Sequence, residues 1–227
     1  MKTTLPIRRW RSDEFDKMFE CGLLAPRGYE LPDGVVYNTQ GFVKRWSVYD
    51  FDRLAEAGVI TPKEHAELIA GSVFEPRSFR PRHSYIRTKL IYLLLEATRD
   101  DDSAIVSPTG YVMLSDESIV APEVCIITRE AHEDVETWPR ADDVLLVTEI
   151  VDPMYATLLD LKLRVYAEFN LQEVWYVDAI RGTLTVHTSP KAGAFQTVAE
   201  YGRGESWNSA ALKGALIRTT DAVGPKR

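Results

Sequence analysis

The run VLLVTEIV at residues 144–151 constrains the fold of this chain most strongly. Apart from one threonine and Glu149 its residues are apolar, and a continuous run rich in Val, Leu and Ile is typical of a central strand buried on both faces. Pro153 ends the run, and apolar residues at helical spacing predict a helix over residues 157–169. An ionised carboxylate inside a sheet costs several kcal/mol unless it is paired or binds a metal. Glu149 therefore needs a specific partner.

Helices and strands are predicted on both sides of this strand. Apolar spacing predicts a helix at residues 83–98, and residues 129–143 are acidic and contain proline, which favours a loop. Short β-rich segments are expected at residues 104–107, 110–114 and 119–128, a hairpin at 173–178 and 183–188, and a strand at 195–201. This order predicts an α/β domain with a mixed β-sheet flanked by helices.

Two stretches near the N-terminus repeat one another. RWRSDEFDKMFECGLLAP begins at residue 9 and RWSVYDFDRLAEAGVITP at residue 45, an offset of 36. Each predicts a short helix, capped by Ser12 or Ser47 and stopped by a glycine, and short strands after it. We interpret this as a duplicated helix–strand unit. The first copy is either an extra layer, lid or oligomer contact, or a surface extension.

Composition limits the classes of partner. The net charge is −7 with a pI near 5.2, whereas a protein that coats duplex DNA is usually basic. Any nucleic-acid contact must therefore come from a local basic patch. No acidic residue lies between Glu75 and Glu96, and the basic residues in that interval are Arg77, Arg80, Arg82, Arg87 and Lys89. This stretch either contacts phosphates or forms a solvated face.

Cysteine usage and hydropathy suggest a setting. Cys21 and Cys125 are far apart and neither belongs to a CxxC motif, so a disulfide framework or zinc cage is not expected. The N-terminus lacks the apolar core of a signal peptide, and no apolar run reaches the length of a transmembrane helix. We expect a cytoplasmic protein with no membrane partner.

Glu123 and Glu149 are the candidate chemical groups. Glu123 directly precedes an apolar segment, and Glu149 lies within another. Two carboxylates on adjacent strands can bind Mg²⁺ together with a backbone carbonyl such as that of Ile150. Lys162 follows on the next helix, where its amine could act on a metal-bound water or a phosphate. The alternatives are a structural ion pair between Glu149 and Lys162 and a solvent-facing Glu123.

The segment EIVDPMYATLLDLKLRVYAEFNLQEVWYVDAIRGTLTVH resembles the PD-(D/E)xK nuclease superfamily, and within it the Uma-type "putative restriction endonuclease" family of bacteria. The matching positions are Glu149, Pro153, Lys162, Tyr166, Ala167, Glu173, Trp175, Val177 and Asp178. Upstream, AELIAGSV, the PRH that opens a helix, and APEV resemble further segments of that family. The resemblance covers about residues 44–218.

The resemblance implies a restriction-endonuclease-like core and a PD-(D/E)xK-type endonuclease that hydrolyses DNA phosphodiester bonds with Mg²⁺, or with Mn²⁺ in its place. Glu123, Glu149 and the Ile150 carbonyl would hold the metal, and Lys162 would orient the attacking water or stabilise negative charge. Glu67 and His83 would border the site. Because DNA-cutting enzymes of this fold commonly pair, a homodimer is expected.

The chain departs from the family pattern at several positions. Glu123 stands where the family has Asp, Ala70 and Ser72 replace acidic residues, and Lys162 lies on a helix rather than two residues after Glu149. These departures favour an alternative, a catalytically silent nuclease-fold protein that serves as a binding or oligomerisation module. Hydrolysis of RNA or nucleotides would use the same site. The expected organisation is an N-terminal extension at 1–43, a nuclease-like domain at 44–218 and a tail at 219–227.

Overall fold

The computed structural model describes residues 5–61, 64–75, 81–108, 110–151, 156–178 and 180–224. Its helices are α1 (Ser12–Glu20), α2 (Val48–Glu56), α3 (Pro81–Ala97), α4 (Arg129–Glu133), α5 (Ala156–Glu168) and α6 (Thr219–Val223). Its strands are β1 (Tyr29–Glu30), β2 (Tyr37–Asn38), β3 (Glu67–Ile69), β4 (Ser72–Phe74), β5 (Ala104–Ser107), β6 (Val112–Ser115), β7 (Ser118–Val120), β8 (Val124–Thr128), β9 (Val144–Ile150), β10 (Glu173–Asp178), β11 (Thr183–Lys191), β12 (Ala194–Tyr201), β13 (Ser206–Ser209) and β14 (Ala215–Arg218).

These elements form two compact units. The described parts of residues 81–112 and 122–224 form the sheet unit, and those of residues 5–75 and 113–121 form the repeat unit. The sheet unit contains a six-stranded sheet in the order β12-β11-β10-β9-β8-β5, and the repeat unit contains a four-stranded sheet in the order β4-β3-β7-β6. The sequence-based division at residues 43 and 218 stays a prediction.

The strand predicted at residues 144–151 is confirmed as β9, inside the six-stranded sheet. β9 and β10 pair in parallel, with α5 as their connection, and the other neighbours pair antiparallel. The mixed sheet flanked by helices is therefore as predicted. Ile86, Leu90 and Leu94 of α3 pack with Leu146 and Ile150 in the buried apolar core on one face of the sheet.

Several local predictions were wrong. The single strand expected at 119–128 is divided into β7 and β8 by a break at Pro122, whose nitrogen cannot donate to a strand ladder. The loop expected at 129–143 contains α4, which the Thr128 hydroxyl caps by accepting from the Ala131 amide. Residues Thr219–Val223, which the sequence assigned to a C-terminal tail, form α6, and Ala222 and Val223 lie in the core. The boundary at residue 218 stays a prediction.

The repeat unit matches its sequence closely. Ser47 caps α2 as predicted, by accepting from the Asp50 amide, but the residue that precedes α1 is Arg11 rather than Ser12. Gly22 and Gly58 follow the two helix ends with φ of 70° and 65°, in the left-handed region where glycine ends helices. Both copies therefore terminate their helices by the same backbone device.

Cys21 and Cys125 are free thiols. Within the residues that the structure describes, every helix falls short of the length and apolar character needed to cross a bilayer.

Glu173 holds the β13–β14 hairpin against the sheet. It is 3% exposed, and its carboxylate accepts hydrogen bonds from the Trp175 indole at 2.7 Å, the Ser209 hydroxyl at 2.7 Å and the Ala211 amide at 3.1 Å. A buried carboxylate with several donors is a stable arrangement because each lone pair that leaves water finds a partner. The family-like Glu at this position therefore has a structural role.

We expect Glu173→Gln to destabilise the protein by about 1–3 kcal/mol. The glutamine NH₂ group would donate toward Trp175, Ser209 or Ala211, which are themselves donors at this site. Urea unfolding followed by tryptophan fluorescence measures the loss. Glu136→Gln, at an exposed position, is the matched control and should change the free energy of unfolding by under about 0.5 kcal/mol. Equal stability of the two variants would contradict the structural role.

Candidate active site

A buried ion pair joins β9 to α5. The Nζ atom of Lys162 lies 2.5 Å from Oε1 of Glu149, and both side chains are 0% exposed. The hydroxyl of Tyr166 donates to the same Oε1 at 2.6 Å. The partner that the sequence required for Glu149 is thus an ammonium and a phenol on one helix.

The local sequence explains this placement. Lys162 and Tyr166 are four residues apart, so they lie on the same face of α5, one turn from each other. The Tyr176 hydroxyl donates to the Leu159 carbonyl at 2.5 Å and so ties the helix to β10. Tyr176 stands beside Glu149 in the parallel register, which brings this face of α5 over the end of β9.

Glu123 immediately precedes the neighbouring strand β8, at the same end of the sheet. Val124 is opposite Thr148, and the Glu123 amide donates to the Thr148 carbonyl at 3.1 Å, so the backbones of Glu123 and Glu149 run side by side. The Oε1 atom of Glu123 is 2.8 Å from Nε2 of His83 in the first turn of α3. Glu123 is 11% exposed and His83 9%, so water reaches only a small part of this pair.

The backbone carbonyl of Ile150 points along the sheet toward the β8 side. Successive carbonyls of a strand alternate between its two edges, and the Thr148 carbonyl faces β8 because it accepts from the Glu123 amide. The carbonyl two residues later therefore faces the same edge. The Ile150 side chain, 2% exposed, packs in the apolar core.

The burial of Cys125 shows that the surroundings of Glu149 have low polarity. It is 1% exposed, and burial raises the pKa of its thiol to about 12, with the negative charge of Glu149 adding to the rise. A thiol in this state is inert rather than nucleophilic. Cys125 is therefore part of the packing around Glu149 and takes no part in nucleophilic chemistry.

The structure thus brings the candidate residues together in pairs, Glu149 with Lys162 and Glu123 with His83. Among the described residues no group of three or more His, Cys, Asp and Glu side chains forms a metal-binding cluster. Glu67 lies on β3 of the repeat unit and is 8% exposed. Its role beside the metal stays a prediction.

The candidate basic residues differ in their surroundings. Arg82 is exposed on α3, Lys89 is half-buried, and the Arg87 guanidinium donates to the Pro108 carbonyl. Arg77 and Arg80 lie outside the described residues. DNA contact by all five stays a prediction.

The sequence comparison matched Tyr166 to the family pattern but assigned it no role. The hydrogen bond from its hydroxyl to Glu149 gives Tyr166 a structural role. The four-residue spacing from Lys162 was the available signal.

The comparisons with known proteins bear on this fold and site. A family model described as "Putative restriction endonuclease", Uma2, matches residues 48–220. The chain belongs to this family. A crystal structure described as a putative nuclease belonging to DUF820, from Anabaena variabilis ATCC 29413, matches with a TM-score of 0.63 and 14% identity over 78% of this chain and 97% of that chain. The chain has this nuclease fold. No curated protein matches it.

The ion pair can be tested as a unit. Glu149→Gln or Lys162→Met alone should destabilise the chain by about 3–5 kcal/mol, because each leaves the other charge buried without its counter-ion. The double variant should recover most of that loss, which a double-mutant cycle in urea measures as a coupling energy. Asp160→Asn, at an exposed position of α5, is the control. Additive losses would show that the two groups are not coupled.

The two thiols should differ in reactivity. At pH 8 a disulfide reagent such as DTNB should label one thiol per folded chain quickly, since Cys21 is partly exposed while Cys125 is buried with a pKa of about 12. Both should react in denaturant. Cys21→Ser should remove the fast phase. Fast labelling of Cys125 in the folded chain would contradict the closed packing around Glu149.

Proposed function

We propose that this chain is a Mg²⁺-dependent nuclease that hydrolyses DNA phosphodiester bonds. The observation that carries the proposal is the lysine–carboxylate pair on α5 and β9, beside a second carboxylate at the same end of the sheet, in a chain of the "Putative restriction endonuclease" family. A lysine amine paired with one carboxylate, with a second carboxylate at the same end of the sheet, is suited to stabilise charge during phosphodiester hydrolysis.

The donor set fits Mg²⁺ in its chemistry. Mg²⁺ takes oxygen ligands and commonly binds through one or two carboxylates while it keeps several waters. Glu123, Glu149 and the Ile150 carbonyl supply three oxygen donors at one end of neighbouring strands, and they would hold the ion. When bound, the ion would supply Lewis-acid stabilisation of the phosphate and a more acidic water. Mn²⁺ has similar ligand preferences and would serve in its place.

Lys162 would carry the charge chemistry. Its ammonium already neutralises Glu149, and on substrate binding it would hold a non-bridging phosphate oxygen or the attacking water. Tyr166 donates to the same Glu149 oxygen, so it would keep that carboxylate in place when the ammonium turns to the substrate.

His83 would act through Glu123. Its Nε2 lies 2.8 Å from Oε1 of that residue, which limits the orientations that the carboxylate can adopt. Glutamate is one methylene longer than the aspartate of the family pattern, and this contact would offset the added freedom. We therefore assign His83 as a positioning residue.

DNA would approach along the start of α3. Arg82 and Lys89 are seven residues apart, two helical turns, and so lie on one face about 10 Å apart along the axis. Basic side chains in such a row contact phosphates without reading sequence. Arg77, Arg80 and Arg87 complete the proposed basic stretch, and two copies of the chain would be needed to cut both strands in one encounter.

A silent member of the family is the second candidate. Glu149 and Lys162 are 0% exposed, and a closed ion pair is also what a purely structural pair would be. In this alternative the pair serves the fold, and the protein acts as a binding or oligomerisation module.

Metal binding separates the two candidates. We expect Mg²⁺ and Mn²⁺ to raise the melting temperature by several degrees at saturation, since a ligand at 100 times its Kd stabilises the folded state by about 2.7 kcal/mol. Glu149→Gln should abolish this rise, and Glu168→Gln on the exposed side of α5 should retain it.

Cleavage of supercoiled plasmid, linear duplex and single-stranded RNA under the same ions identifies the substrate. Glu149→Gln and Lys162→Met should each lose at least about 100-fold in rate, as expected for residues that stabilise the transition state. A folded protein that cleaves none of the three substrates with either ion is the silent member. Cleavage of RNA alone would replace DNA as the substrate.

A further inference from the structure

The hairpin turns of the two copies have the same backbone conformation. Asp33 and Gly34 turn the first copy with φ of 50° and 73°, and Ala70 and Gly71 turn the second with φ of 48° and 73°. The hairpins have the same register, since Glu30 lies opposite Tyr37 in one and Glu67 opposite Phe74 in the other. The first copy is residues 7–38 and the second copy is residues 43–74.

The segment before each helix is bonded to the hairpin of its own copy in the same way. The Trp10 amide donates to the Gly34 carbonyl at 2.9 Å, and the Trp46 amide to the Gly71 carbonyl at 2.9 Å. A Cβ at either glycine would come within 3.1 Å or 3.0 Å of an arginine Cβ in its own copy. The duplication is therefore one of three-dimensional structure as well as of sequence.

Each copy completes the hairpin of the other. The Arg8 amide, ahead of α1, donates to the Val73 carbonyl of the second copy at 2.8 Å, and the Lys44 amide, ahead of α2, donates to the Val36 carbonyl of the first at 2.8 Å. Isolated bridges repeat the exchange, Ile7 with Phe74 and Val43 with Tyr37. These reciprocal contacts are the pattern of an isologous interface, in which each partner offers the same patch.

Equivalent residues meet where the two copies face each other. The rings of Trp10 and Trp46 are 5.5 Å apart, and both residues are buried. Self-contact of one position with its equivalent is a property of the two-fold axis of a homodimer. Here two copies in one chain make the contact.

Side chains strengthen the interface from both sides. Arg8 of the first copy is 3% exposed and donates to the Glu64 carboxylate at 2.9 Å and to the Val59 carbonyl at 3.1 Å, both beyond α2. In the other direction the Arg53 guanidinium donates to the Cys21 carbonyl. A buried arginine with fixed acceptors across an interface is an energetic anchor.

We propose that the second copy carries a docking surface for another copy of the same repeat, and that in this chain its own first copy fills that surface. The family model matches residues 48–220, so the match to the family model starts after the first copy. The first copy makes the same reciprocal contacts with the second copy that a second subunit would make across a two-fold axis. A homodimer of the intact chain must therefore use a different face.

Splitting the chain between the copies tests this proposal. A specific protease site inserted between Gln40 and Gly41, in the exposed turn that joins the copies, allows the folded full-length protein to be cut. Size exclusion and native mass spectrometry at micromolar concentration then show whether the N-terminal fragment stays bound. Synthetic peptide of residues 5–40 with a fluorescent label is added to the cut protein to follow exchange. The uncut insertion variant is the reference for folding.

We expect the fragment to stay bound and the labelled peptide to replace it. Arg8→Ala should speed release of the fragment at least tenfold. Arg9→Ala should leave it unchanged, because Arg9 is exposed and donates to the Asp33 carbonyl of its own copy. Pairing of two cut chains through their second copies, after loss of the fragment, would also support the proposal. Release of the fragment with neither exchange nor pairing, whether the remainder stays folded or not, would overturn it.

Discussion

The buried ion pair of Glu149 and Lys162 is the constraint on which the candidate site depends. Removing a carboxylate and an ammonium from water costs several kcal/mol for each ion, so neither could be 0% exposed without the other. α5 must therefore cross the sheet with Lys162 level with Glu149. Tyr166, one turn later, donates to the same oxygen and fixes the rotation of the helix.

Because successive side chains of a strand point to opposite faces of the sheet, Ile150 serves the apolar core while its neighbour Glu149 serves the candidate site. Ile150 enters the apolar core beside α3, while Glu149 projects to the opposite face beneath α5. The polar group can thus be held at the end of β9 without a break in the core. Glu123 lies in the bend after Pro122, one residue before β8 begins to pair with β9.

The repeat unit solves a different problem by duplication. A hairpin of two short strands has too little buried surface to be stable alone. The segment that precedes each copy's helix makes an isolated β-bridge to the other copy's hairpin, and the rings of Trp10 and Trp46 lie 5.5 Å apart between the copies.

The sequence by itself determined what depends on local pattern. The period of the apolar residues predicted α3, β9, α5 and the β10–β11 hairpin, glycines marked the helix ends of both copies, and a buried carboxylate in β9 required a partner. Only the tertiary structure decided which distant groups meet. It brought Glu123 to His83 and the Ser209 hydroxyl to the Glu173 carboxylate. It also placed the segment before each repeat helix against the hairpin of the other copy. Such contacts join residues far apart in the chain, so packing of whole elements rather than local conformational preference selects them.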